Sequence, residues 1–70
     1  MPNYVLNRNA QSKGEREVHA TSCSYLPAPA NQIDLGWHAS CHGAVNRARQ
    51  LYPAWEIDGC AHCSPACHTR

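Results

Sequence analysis

The string GCAHCSPACHTR, residues 59–70, places three cysteines and two histidines within twelve residues. It constrains the fold more than any other stretch, because the rest of the chain brings little bulk with which to bury itself. Seventy residues make a single domain (1–70) of the size at which burial alone is marginal. Half of the apolar side chains are alanine or cysteine, and there is no phenylalanine. The large aliphatic ones are Val5, Leu6, Val18, Leu26, Ile33, Leu35, Val45, Leu51 and Ile57. Such a domain needs a cross-link to fold. Its five cysteines are the material for one.

The cross-link is a metal or a disulfide. The opening MPNYVLNRNAQSKGERE lacks the basic start and apolar run of an export signal. No stretch approaches membrane-spanning length, so a cytoplasmic protein is expected. In that reducing setting clustered cysteines mean metal more often than disulfide, and five is an odd number for disulfides alone. Six basic and five acidic side chains leave a net charge of +1. Lys13, Arg16, Arg47 and Arg49 are dispersed and read as solvated surface, without the basic footprint of a nucleic-acid binder.

Along the chain, NYVLN (3–7) reads as a strand, NAQSKGE as a turn, and REVHA (16–20) as a second strand, together a hairpin. LPAPAN is an extended, proline-held loop, and QIDLG a brief extended piece ending in a turn at Gly36. SCHGAVNRARQLYP carries the clearest periodicity: Ser40 as cap, Ala44, Val45, Ala48, Leu51 and Tyr52 on one face, and Pro53 as stop. This predicts a helix over 41–52 with that face on a sheet. AWEID predicts a third strand with Trp55 and Ile57 on one side. The fold class expected is α+β: about three short antiparallel strands, one main helix, and zinc as the staple.

Cys60-x2-Cys63 has the knuckle spacing of tetrahedral zinc, with both sulfurs turned inward. His19-x3-Cys23, at a strand end, is the best complement, and the four make a Cys3His set, a closed structural arrangement. The tail offers a rival: Cys23, Cys60, Cys63 and Cys67, with His68 adjacent. Parity favours His19, because Cys41 and Cys67 then remain as an even pair. Cys41, in the first turn of the helix, sits where backbone N–H groups stabilise a thiolate. The two are expected to approach within disulfide distance, about 7 Å between α-carbons, without loss of the metal.

Other chemistry fits less well. A thioredoxin-type CxxC requires a helix directly after it, and here SPACH follows. Covalent haem requires CxxCH, and Ser64 follows Cys63. Catalytic zinc requires an open position and an acid/base carboxylate, whereas Glu17, Glu56 and Asp58 read as surface groups or supports of the ligands. His38, His42 and His62 read as ordinary polar residues, with His62 pointing to solvent.

In order, YVLN, EVHATSC, NQIDLG, SCHGAVNRA and GCAHC resemble the small metal-binding modules related to the zinc domain of the Ada DNA-repair protein. The string is also similar to short bacterial proteins that consist of this module with a Cys-His tail. The likeness spans about Tyr4 to Cys63 and implies that His19, Cys23, Cys60 and Cys63 match the module's metal positions. Three departures stand out: Val18 where the module often has Tyr, Gly59 where it often has Pro, and the extension SPACHTR. Methyl transfer is not implied, as no activated cysteine or DNA contact matches. The expectation is a non-catalytic zinc-binding monomer that meets a protein partner through Trp37, Trp55, the proline-rich loop and the histidines. Two alternatives stay open: a thiol redox or metal-responsive protein using Cys41 and Cys67, and a nucleic-acid module by analogy with Ada.

Overall fold

The computed structural model describes residues 3–11 and 14–69. It contains strands β1 (Asn3–Asn7), β2 (Glu15–Ala20), β3 (Gln32–Trp37) and β4 (Glu56–Gly59), and one helix, α1 (Cys41–Leu51). Single 3-10 turns lie at Pro29–Asn31, within the proline-rich loop, and at Pro65–Cys67. Lys13 lies outside the described residues.

The sheet order is β3-β1-β2-β4. The expected hairpin is present, with Tyr4 opposite Ala20 and Leu6 opposite Val18. Two expectations are corrected. The described residues hold four strands rather than three, because QIDLG does not stop at Gly36 but pairs along β1 as a full antiparallel strand. The register slips between Tyr4 and Val5, and Gly36 takes φ +80° while its N–H donates to Asp34 Oδ1 at 2.9 Å. A bulge around a left-handed glycine therefore continues the strand where a turn was expected. The second correction is direction: β4 runs parallel to β2, with Arg16 opposite Ile57 and Val18 opposite Gly59. Residues 21–55 form the long crossover that a parallel pair requires. Trp55 also lies outside β4; it stacks on Tyr52 with ring centroids 4.2 Å apart, under the Arg16 guanidinium.

One face of the sheet is covered by α1. Tyr4, Leu6, Val18, Ala20, Leu35 and Ile57 meet Cys41, Ala44, Val45 and Ala48 in a single core. Strand alternation turns Val5, Glu17, His19 and Asp58 to the opposite side. The helix begins and ends within a residue of expectation, but two details differ. Ser40 occupies the N-cap position without a side-chain capping bond. Leu51 is exposed, although the apolar periodicity places it on the buried face.

Ala48 is fully buried against the sheet and Arg49 is exposed. Ala48→Asp is expected to cost about 3 kcal/mol or more, the penalty of a carboxylate buried without a partner. Arg49→Ala should lie within about 0.5 kcal/mol of the parent. Urea unfolding of the two variants checks this, and equal losses would mean that another face is packed.

Candidate metal centre

The parallel pairing explains how distant pieces of chain meet. With Val18 opposite Gly59 and Cys60 N–H donating to Val18 O at 3.0 Å, the next residues of the two strands, His19 and Cys60, come side by side. Beyond β2 the chain turns at once, Cys23 N–H donating to Ala20 O at 2.9 Å, which swings Cys23 back over the strand end. Beyond β4, Ser64 N–H reaches Cys60 O at 2.8 Å and winds the knuckle so that Cys63 faces inward.

The donor atoms of His19, Cys23, Cys60 and Cys63 consequently all lie within 4.8 Å of one another. Cys23 Sγ and Cys60 Sγ are 4.0 Å apart, and Cys63 Sγ and His19 Nδ1 are 3.9 Å apart. A tetrahedron with Zn–S about 2.3 Å and Zn–N about 2.0 Å has edges of roughly 3.5–3.8 Å, so only small adjustments separate this cluster from a coordination shell. Backbone N–H groups support two of the sulfurs: Tyr25 to Cys23 at 3.5 Å and His62 to Cys60 at 3.4 Å. His19 turns Nδ1 to the cysteines and its Nε2 towards Glu17 Oε1, 3.6 Å away. A carboxylate behind a histidine in this way fixes ring orientation and tautomer for metal binding.

The electrostatics point the same way. Burial lowers the His19 pKa, keeping the imidazole neutral as a ligand must be. Cys63 is pushed up to about 12 by burial and by its contacts with Cys23 and Cys60. Without a cation the Cys63 thiol resists ionisation; a bound divalent ion would reverse that by deprotonating the sulfurs it binds. Glu17 is raised by burial, with smaller opposed effects from His68, Glu15, Asp58 and His62. The site is shielded on the protein side, with His19 and Cys60 buried and Cys23 and Cys63 partly exposed.

The tail does not enter this cluster. Cys67 is bonded to Cys41, their α-carbons 6.3 Å apart, as the parity of the cysteines suggests. His68 places Nδ1 3.1 Å from Gly59 O and 3.4 Å from Asp58 Oδ2. The rival set with Cys67 or His68 as fourth ligand is thus not assembled. Gly59 is needed here: a Cβ would stand 2.6 Å from Cys67 Cβ and 2.7 Å from Ser64 O, so a side chain would push the tail off β4.

Among the remaining residues, His62 is exposed but not isolated, stacking on Tyr25 at 3.9 Å between centroids. His38 meets Leu35 O at 2.8 Å. Asp58 is the residue that sequence reasoning missed. Read there as a surface group or a support of the ligands, it is buried, and its Oδ1 accepts from Thr69 N–H at 2.8 Å and Thr69 Oγ1 at 3.0 Å. Burial would raise its pKa, but the Thr69 bonds, with help from Gly59 N–H and His68, outweigh it and lower the value. The only sequence signal was its place in an apolar-flanked strand, IDGC.

Fold and cluster together define a class: a small, cysteine-rich α+β domain whose Cys/His group is able to hold a metal ion. No family model, curated protein or solved structure matches the chain. None of the helices among the described residues is long and apolar enough to cross a membrane.

Proposed function

We propose that the protein is a small, non-catalytic zinc-binding domain, cytoplasmic and monomeric, that acts by binding a protein partner. One observation carries this reading: four donor atoms of the Cys3His type, drawn from two distant segments, lie within 4.8 Å of one another. Three sulfurs and one imidazole suit zinc above harder cations, and four protein ligands leave no position for substrate, as in structural sites. His19, Cys23, Cys60 and Cys63 are the proposed ligands, with Glu17 orienting His19. For the partner, Trp37 and Tyr25 supply exposed aromatic surface. Native mass spectrometry with and without chelator tests the proposal. One zinc per monomeric chain, lost in Cys60→Ser, is expected; a folded protein without metal refutes it.

A second reading, a thiol redox protein, is favoured by the Cys41–Cys67 bond. Mild reduction and reoxidation of the zinc-loaded protein, followed by peptide mapping, tests it: the Cys41–Cys67 link must open and re-form with zinc retained.

A further inference from the structure

We propose that reducing the Cys41–Cys67 disulfide creates a second metal site, in which Cys41, His42 and Cys67 bind a thiophilic divalent cation such as zinc and leave one coordination position open. The donor atoms of these three residues lie within 4.8 Å of one another, and none of the three belongs to the Cys3His cluster. Two sulfurs and one imidazole are a sufficient anchor for zinc when water fills the fourth place.

The geometry does not depend on the sulfur–sulfur bond. Thr69 is tied to Asp58 through both N–H and Oγ1, His68 Nδ1 lies against Gly59 O, and Cys67 N–H donates to Ser64 O at 3.0 Å. The bare Gly59 lets Cys67 pack directly on β4. On the other side, Cys41 and His42 begin α1, which is held down by Ala44, Val45 and Ala48. Breaking the disulfide therefore leaves both sulfurs facing each other. Side-chain rotation alone must open them to about 3.8 Å, the separation of two thiolates on one zinc ion.

The surroundings favour thiolates. Neither a capping side chain nor an acidic residue occupies the first turn of α1, so its free N–H groups are available to stabilise negative sulfur. Beside the three donors lies a cleft of about 250 Å³ whose lining includes His42, Asn46, Arg49 and Cys67. Among the described residues no carboxylate or further thiol lines it. The fourth position thus falls to water or a small anion facing Arg49.

The chemistry balances. A phosphine donates two electrons to the disulfide and takes an oxygen atom from water, whose two protons complete the two thiols. Within cells a dithiol serves, becoming a disulfide itself. Metal binding then releases the two thiol protons.

The test counts metals by native mass spectrometry in the presence of free zinc, before and after phosphine, and repeats the reduced sample with cobalt(II) to read thiolate-to-cobalt absorption. One ion per chain is expected with the disulfide intact and two after reduction. Cys67→Ser should hold one under both conditions. His42→Ala, an exposed substitution, should weaken the second ion by on the order of tenfold or more and leave the first unchanged. A metal count that does not rise on reduction overturns the proposal, as does an ion gained on reduction that persists in Cys67→Ser. If the oxidised protein takes up none and the reduced protein one, lost in Cys67→Ser, the Cys3His reading fails and this one stands.

Discussion

A strong chelator added to the zinc-loaded protein is expected to unfold it in one cooperative step, and Cys60→Ser is expected to yield an unfolded chain at the outset. Structural zinc contributes about 10–16 kcal/mol in finger peptides. Whole domains are stable by only about 5–15 kcal/mol, and this one has a core of small residues. Cys60 is the strongest single position, since it is almost fully buried and its sulfur faces that of Cys23 at 4.0 Å. His62→Ala is the matched control: it changes the same knuckle at an exposed side chain and should leave metal and fold intact. Far-UV circular dichroism and amide dispersion by NMR read the result. A metal-free chain with native dispersion would show that the core suffices alone, and the zinc proposal would lose its physical basis.

The second large effect belongs to Cys67→Ser. The disulfide joins positions 26 residues apart, and closing a loop of that length in the unfolded chain is worth about 3.5 kcal/mol in the chain-entropy account. The zinc-loaded variant should unfold at a lower urea concentration by that amount while keeping its metal. The parent protein, reduced in the absence of free metal, should fall to the same midpoint. Because about 3.5 kcal/mol is below the net stability of about 5–15 kcal/mol usual for a whole domain, the reduced, zinc-loaded domain should still fold. Loss of zinc from Cys67→Ser would instead place the tail on the first cluster.

How much of this was legible in the sequence depended on the range of the signal. The helix announced itself because Ala44, Val45 and Ala48 recur at helical spacing and Pro53 follows. The two spaced pairs that meet in the Cys3His cluster were readable because each is held within one turn of chain. Edge pairing was not: QIDLG contains a glycine that reads as a stop, and only its partner β1 shows that Gly36 forms a bulge inside the strand. The parallel match of β2 with β4 left no local trace, since it rests on contacts across about 40 residues of intervening chain. Leu51 was misplaced because periodicity reports which face is apolar, not how deeply each position on it is covered. Asp58 escaped because its partners, His68 and Thr69, lie beyond the knuckle.

The parallel neighbour of β2 is the last of the described strands to be synthesised, and this bears on the order of events. Residues 56–67 carry Cys60, Cys63 and Cys67, so both closures wait for the same short segment. Until it emerges, the hairpin and α1 have a half-built sheet whose β2 edge is unpaired, with His19 and Cys23 as half of the Cys3His cluster. Pairings this far apart in sequence form slowly, because loop entropy is spent before any contact repays it. Folding is thereby a single late commitment: β4 and the few residues after it complete the sheet, the Cys3His cluster and the disulfide together.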